Sequence, residues 1–399
     1  MSSFMQRQFL PHALLCRLGG CFFIPNFWKP LEKAKVTWIS VYTAYSAVLI
    51  AFSFSLDVLS IVQYSHLLSD FSHAFSPSLL LIVRTVVNFQ VLLNAGTMTT
   101  GSIGLLEFFQ KSTNFEKATG FSPAKRGIRS IWENRWSFTR RFLVVSGAVS
   151  TFVLYTLPVI VILKEMLPGN ISFLAKLIAV LTGARFILHD ALPYMVLRCC
   201  TAVLVEYLQA QRKMFERCCG FNCVRSETQL SQQLEVIRHN LGSIRDLKDS
   251  LNAIWQVPLA VTSAGILLVV CVACYAMFND GFLGEQIPLH VSYSVYSALA
   301  FVDMACVSQA LADEAQELKN ASKMAFTFEA TGGYMQQLRF LHETIDPDGM
   351  CLSGGGFFRL NKSLLVSMAG TMITYTVILS QTSDGLTNKT APTNSTQIG

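Results

Sequence analysis

The chain is 399 residues long, 52% hydrophobic and only 14% charged, with a formal net charge of +6. Soluble globular proteins carry roughly 25% charged residues, so this composition excludes a disordered chain, a highly charged nucleic-acid binder and most soluble enzymes. Its long apolar runs point to a polytopic membrane protein.

Residues 1–35 come first. Their apolar stretches are interrupted by Pro11, Arg17, Pro25 and the basic cluster Lys29, Lys33 and Lys35, which is unlike a cleaved signal peptide. This region is expected to remain in the cytosol, with the first spanning helix doing the targeting. A helix needs about 20 mostly apolar residues to cross the hydrocarbon core. Residues 36–200 supply four such segments: Trp38–Leu56, Ser78–Leu106, Phe142–Leu163 and Ile171–Leu197. Residues 201–253 form a polar interlude. There the helical pattern of span 4 persists through Glu206, Gln209, Arg212 and Lys213, and Ser226 with Gln229 makes a capping-box pair. Apolar residues then recur at Leu230, Leu234, Ile237, Leu241, Ile244, Leu247, Leu251 and Ile254. Spacing that alternates between four and three makes a narrow seam for packing against other helices.

Residues 254–311 hold spans 5 and 6, Ile254–Phe278 and Ile287–Leu311. In 312–363, span 6 continues past Asp313, Glu314 and Glu317. An amphipathic stretch, Tyr334–Thr344, then leads to Ser353-Gly354-Gly355-Gly356, which reads as a hinge. Span 7 is Leu364–Gln381, short and rich in Ser, Thr and Gly, and residues 382–399 are a polar tail. The non-membrane helices together predict a compact helical bundle on one side of the membrane.

With the N-terminus inside, the cytosolic segments carry 26 Lys and Arg residues and the outer segments only Lys164 and Lys389. That asymmetry satisfies the positive-inside rule. The expected fold class is therefore an all-α membrane protein of seven transmembrane helices, N-terminus inside and C-terminus outside, with cytosolic helical extensions forming an anchor bundle. Asn170, Asn388 and Asn394 are outer glycosylation sequons, although Asn320 and Asn361 match the same pattern on the inner side. This arrangement is the reverse of a G-protein-coupled receptor, whose D/E-R-Y and N-P-x-x-Y motifs are also missing. None of the 11 Cys lies in an outer loop, so extracellular disulfides are not expected. Cys218, Cys219 and Cys223 read as free thiols or a palmitoylation cluster rather than a zinc site. Cys271 and Cys274 read as packing residues of span 5. No cofactor fingerprint, metal-ligand spacing or catalytic constellation is present, which argues against an enzyme.

On a helix, span 7 divides into two faces. One carries Ser363, Ser367, Gly370, Thr374, Val377 and Gln381; the other carries Leu364, Leu365, Met368, Met372, Tyr375, Ile378 and Leu379. A polar stripe in a membrane must meet protein or water. It is either a small-residue packing seam or one wall of a water-filled path closed by further copies of the chain.

The run Thr374-Tyr375-Thr376-Val377-Ile378-Leu379-Ser380-Gln381 resembles the signature of arthropod gustatory receptors, a T-Y pair and a Q-F pair separated by five mostly apolar residues. Gly356-Phe357-Phe358-Arg359-Leu360-Asn361, followed by Gly370, resembles the segment that precedes it in that family. The resemblance implies a tastant-gated, nonselective cation channel in the plasma membrane of chemosensory neurons, built as a homo- or hetero-tetramer of related receptors. Span 7 would line the pore, with Gln381 at the gate near the outer end, Thr374 and Tyr375 deeper, and Val377, Gly370 and Ser367 along the path. Thr376 and Ser380 replace apolar residues of the pattern. Thr382 stands where the family usually has the Phe that helps close the pore, which leaves Val377 or Ile378 to dewet it.

Ionisable and polar residues inside spans are candidate functional groups. They are Arg84 and Asn88 in span 2, Arg185, His189 and Asp190 in span 4, and Tyr293, Tyr296 and Asp303 in span 6. An aromatic platform with a few polar groups suits a small polar molecule such as a sugar, an amino acid or a bitter compound; alternatively, the charges pair with one another to fix helix packing. The other functional reading is a secondary transporter of a small polar solute, which would show matching repeats and broken helices. Expected partners are the tastant, permeant cations and membrane lipid, without nucleic acid, cofactor or metal.

Overall fold

The computed structural model describes residues 2–31, 34–69, 75–123, 129–166, 172–219, 226–280, 287–325 and 332–390. Among them, in chain order, are α1 (Phe4–Leu18), α2 (Val41–Ser69), α3 (Phe75–Thr100), α4 (Ser102–Thr119), α5 (Arg129–Met166), α6 (Ser172–Asp190), α7 (Leu192–Cys219), α8 (Glu227–Asp280), α9 (Ile287–Ala325), α10 (Gly332–Thr344) and α11 (Lys362–Thr390). Two-residue strands β1 (Ser353–Gly354) and β2 (Phe358–Arg359) lie between α10 and α11.

By length and apolarity, α3, α5, α8, α9 and α11 are each able to cross a membrane, and the bent pair α6–α7 makes a sixth span. In α2, Val41–Phe52 is apolar and the helix runs on to Ser69. All seven expected spans thus fall on helices. Span 2 ends sooner than Leu106, at an interruption at Gly101 that separates α3 from α4. Span 4, read from sequence as one helix, is broken at Ala191 and bends by 44°. Pro193 explains the break: it has no N–H for the His189 carbonyl, and its ring crowds that oxygen.

Within residues 1–35, where the sequence signals no helix, Phe4–Leu18 folds as α1 straight through Pro11. A helix-interior proline costs about 3 kcal/mol, but Met5, Phe9, Ala13 and Cys16 recur at helical spacing and are all buried. Burying one large apolar side chain returns about 1.5–3 kcal/mol, so packing outweighs propensity. The start of α1 is also held from a distance. Ser3 Oγ accepts the Gln6 N–H at 3.1 Å, and the Glu116 carboxylate of α4 accepts the N–H groups of Phe4 and Met5 at 2.5 and 2.9 Å. An anion at a helix N-terminus meets otherwise unpaired donors and the positive end of the macrodipole.

The larger of two cores joins α1, α4, α7, α9, α10 and α8 from Leu234 to Ile266, and takes in Met98 of α3 and Met368 of α11. In α8 the predicted seam is buried at Leu234, Ile237, Leu241, Ile244, Leu247 and Leu251. The helix is started by Ser226, whose Oγ accepts the Gln229 N–H at 3.4 Å. The smaller core gathers residues of α3, α5, α6, α8 and α9, including Val87, Tyr155, Phe186, Val269 and Tyr293. At Gly265 of α8 a Cβ would lie 2.6 Å from Gln90 Oε1, so the side chain on α3 comes this close only because position 265 has none.

The segment read as a glycine hinge is a tight hairpin. Ser353 pairs with Arg359 and Gly354 with Phe358, and the Phe357 N–H closes onto the Gly354 carbonyl at 3.0 Å. Gly355 and Gly356 take φ of 60° and 78°, the pair of left-handed residues that a type I′ turn requires. The hairpin is clamped to α8, where Asn252 Oδ1 accepts the Ser353 N–H at 2.8 Å and Nδ2 donates to Ser353 Oγ at 3.0 Å.

Candidate functional site

The smaller core surrounds a cavity with an empty volume of about 420 Å³, including its mouth. Helical spacing brings each contributor to one face. From α3 come Val83 with Val87 and Arg84 with Asn88, each pair four residues apart; from α5 come Thr151 and Tyr155. Phe186 of α6 and Leu289, His290 and Tyr293 of α9 complete the lining. The rings of Tyr155 and Phe186 stack at 4.6 Å with planes 8° apart, and Tyr293 stands 6.1 Å from Phe186. The Arg84 guanidinium lies 5.9 Å from the centre of the Tyr155 ring, a cation–π contact at the outer limit of range. The surface offered to a ligand is mostly apolar, with polar groups from Arg84, Asn88, Thr151 and His290.

A second, smaller cavity is lined by Gln90, Asp190, Thr262, Tyr296, Ser297 and apolar neighbours. Tyr293 and Asp190 join the two: the Tyr293 hydroxyl donates to Asp190 Oδ1 at 2.9 Å, and Gln90 Nε2 donates to the same oxygen at 3.0 Å. Asp190 is thus buried with hydrogen bonds from two helices, as a carboxylate in an apolar core must be.

The eight candidate ligand residues therefore separate into five groups. Arg84, Asn88 and Tyr293 line the first cavity, and Asp190 and Tyr296 the second. His189 turns elsewhere, its Nε2 lying 2.9 Å from the Gly19 carbonyl at the end of α1. Arg185 is buried and lines neither cavity. Asp303 is fully buried and is held by Arg198 Nε at 2.6 Å, Arg140 Nε at 2.9 Å and the Tyr194 hydroxyl at 3.1 Å. Four lining residues carry weak or no sequence signal: Thr151, Tyr155, Phe186 and His290. An aromatic in an apolar span looks like core, and only the Thr151–Tyr155 spacing marks a shared face.

Of the pore candidates on α11, Ser367, Gly370, Thr374, Tyr375, Val377 and Gln381 are all exposed on the single chain. The face that packs inward is Leu364, Leu365, Met368 and Met372, and the Met372 carbonyl lies 3.7 Å from Cys271 Sγ of α8. Asn170 and Asn394 lie outside the described residues, as does the side chain of Asn388. Cys218 is buried and Cys219 half-buried, and burial pushes the Cys219 thiol up, which weakens it as a nucleophile. Cys223 lies outside the described residues.

The family model described as 7tm chemosensory receptor matches residues 14–384. No curated protein matches the chain in sequence. Among solved structures, the insect olfactory receptor OR5 from Machilis hrabei is similar in fold. In complex with eugenol it gives a TM-score of 0.70 at 17% identity, covering 95% of this chain and 98% of its own. Its second structure gives 0.68 at 17% identity, covering 94% and 98%. The family match spans nearly the whole sequence, and the shared fold is that of a seven-helix membrane protein. This multi-pass membrane protein belongs to the 7tm chemosensory receptor family, a family of receptors and not of enzymes.

Proposed function

We propose that the chain is a subunit of a tastant-gated, nonselective cation channel of the plasma membrane of chemosensory neurons, assembled as a tetramer with itself or with related receptors. The observation that carries this reading is the orientation of α11. Leu364, Leu365, Met368 and Met372 pack within the subunit, while Ser367, Gly370, Thr374 and Gln381 face away from it together with Ile373, Tyr375, Val377 and Ile378. Hydroxyls and amides exposed on a membrane helix are costly against lipid, and a ring of identical subunits would turn these stripes toward a shared aqueous path. Within it, Val377 and Gln381 would form the constriction and Tyr375 would pack beside a neighbouring copy. The distribution of Lys and Arg favours an orientation with the α1–α4–α10 bundle in the cytosol and the C-terminus outside. That orientation would expose Asn388 and Asn394 to glycosylation.

The cavity between α3, α5, α6 and α9 is the proposed ligand site, with Arg84 and Asn88 as its polar contacts and Tyr293 in its aromatic wall. Eugenol, a small aromatic molecule, is bound by a receptor of the same fold, which supports a small-molecule ligand here. The test is current recording from cells expressing the chain, alone and with related receptors, against a tastant panel. Ligand-evoked cation currents altered by Gln381→Ala or Thr374→Val are expected. The break between α6 and α7 favours one other reading, a secondary transporter, since transporters bind solutes at broken helices. Solute uptake without conductance would establish that alternative.

A further inference from the structure

The chemistry of the first cavity narrows the ligand, on the reading of that cavity as the ligand site. Its inner wall is aromatic: Tyr155 and Phe186 are stacked, and Tyr293 stands at an angle of 51° to Phe186. Such a wall takes a flat apolar body and offers few partners to a ring of hydroxyls. A sugar entering it would lose its hydration without replacement.

The polar groups that remain have a definite character. Asn88 is 5% exposed, and its side-chain amide nitrogen is buried without a hydrogen-bond partner among the described residues. It is a donor in need of an acceptor. One helical turn away, Arg84 carries the only fixed charge among the described lining residues, and the charge is positive. An anionic oxygen would accept from Asn88 and lie beside a guanidinium where the surrounding low dielectric strengthens the attraction.

We propose that this cavity binds a small aromatic carboxylic acid as its anion, the ring against Tyr155 and Phe186 and the carboxylate toward Asn88 and Arg84. The carboxylate, not the ring, then sets the preference. Removing the charge from an otherwise identical ligand weakens binding by roughly tenfold or more.

The test uses the purified full-length protein in lipid nanodiscs, with binding of benzoate, phenylacetate and cinnamate measured by titration calorimetry. Benzyl alcohol, benzylamine and glucose are the comparison compounds. Saturable binding of at least one acid is expected, at least tenfold tighter than that of the alcohol or the amine. Asn88→Leu and Arg84→Gln should each weaken acid binding about tenfold or more while leaving benzyl alcohol binding nearly unchanged. Should Arg84→Gln fail to fold, Asn88→Leu carries the test, because it keeps the branching at Cγ and changes no charge. The proposal is overturned if none of the acids binds, if acid and alcohol bind equally, or if Asn88→Leu leaves acid binding intact. Currents are recorded separately. Acid binding without current removes the channel reading and leaves this assignment standing; currents evoked by other compounds, with no acid bound, do the reverse.

Discussion

Arg198 of α7 donates from Nε to the fully buried Asp303 of α9 across 2.6 Å, tying together helices that lie 105 residues apart in the chain. Arg140 of α5 approaches the other carboxylate oxygen at 2.9 Å, so three helices meet on one side chain. Replacing Asp303 by Asn leaves two arginines facing a neutral group. Breaking a buried pair in this way costs about 3–5 kcal/mol. Loss of surface expression and a lower melting temperature in detergent are expected, with partial recovery when Arg198→Met is added. A melting temperature within error of the parent would contradict the assignment.

Glu116 is a different kind of tether. It accepts the two N–H groups that open α1, and the Tyr207 hydroxyl donates to it as well. Glu116→Gln keeps the shape and removes the charge, and should destabilise the docked α1 by about 1.5–3 kcal/mol. Deuterium exchange of peptides spanning residues 4–18 would rise several-fold while the buried seam of α8 stays protected.

Docking of α1 should also depend on pH through His12. Its pKa is lowered, first by burial and then by the positive charges of Arg198 and Arg141. The undocked histidine titrates near 6.5, so the undocked state binds more protons in the interval just below that value. The stabilisation is complete above pH 6.5 and is lost as pH falls through the folded pKa. Exchange of α1 amides, corrected for intrinsic rates, should accelerate between pH 7.5 and 5.5, and His12→Gln should abolish the acceleration.

The hairpin before α11 tolerates no side chain at its turn. Gly355→Ala and Gly356→Ala each force an L-residue into φ near 60–80°, at a cost of about 1–2 kcal/mol. Gly96→Ala is the control, since nothing lies within 4 Å of a Cβ there and a helix-interior glycine gives up about 0.5–1 kcal/mol relative to alanine. The turn variants should lower the thermal midpoint, and the control should raise it.

If α11 lines the pore, a polar group at its narrow point should keep that point wet. Val377→Asn is expected to raise ligand-independent current severalfold in whole-cell recordings at equal surface expression. Ile373→Asn, one turn deeper and exposed on the single chain, tests whether the effect is confined to the constriction.

The spans and the α8 seam were legible because each is a long, uninterrupted periodic signal. Position 191 was not, because a proline within an apolar run does not by itself reveal whether a membrane helix bends or breaks. The helix at α1 was hidden by Pro11, whose cost is met by contacts with α4 and α7 that no local pattern announces. In the cavity, Arg84, Asn88 and Tyr293 stood out as polar residues among apolar ones. Tyr155 and Phe186 did not, since their stacking depends on two helices meeting. Asp303 was equally conspicuous, but its role turns on partners in distant parts of the chain.

The 54 residues of α8 form one helix, about 80 Å long. It touches the smaller core through Val269, the pore candidate α11 through Cys271, the hairpin through Asn252 and the larger core through Ile237. A beam of that length is a mechanical lever: pivoted at one end, it moves at the other by about 1.4 Å for each degree of tilt. The core around the proposed ligand cavity, the proposed path-lining helix and the larger core are thus mounted on a single member, and no chain of separate parts is needed to connect them.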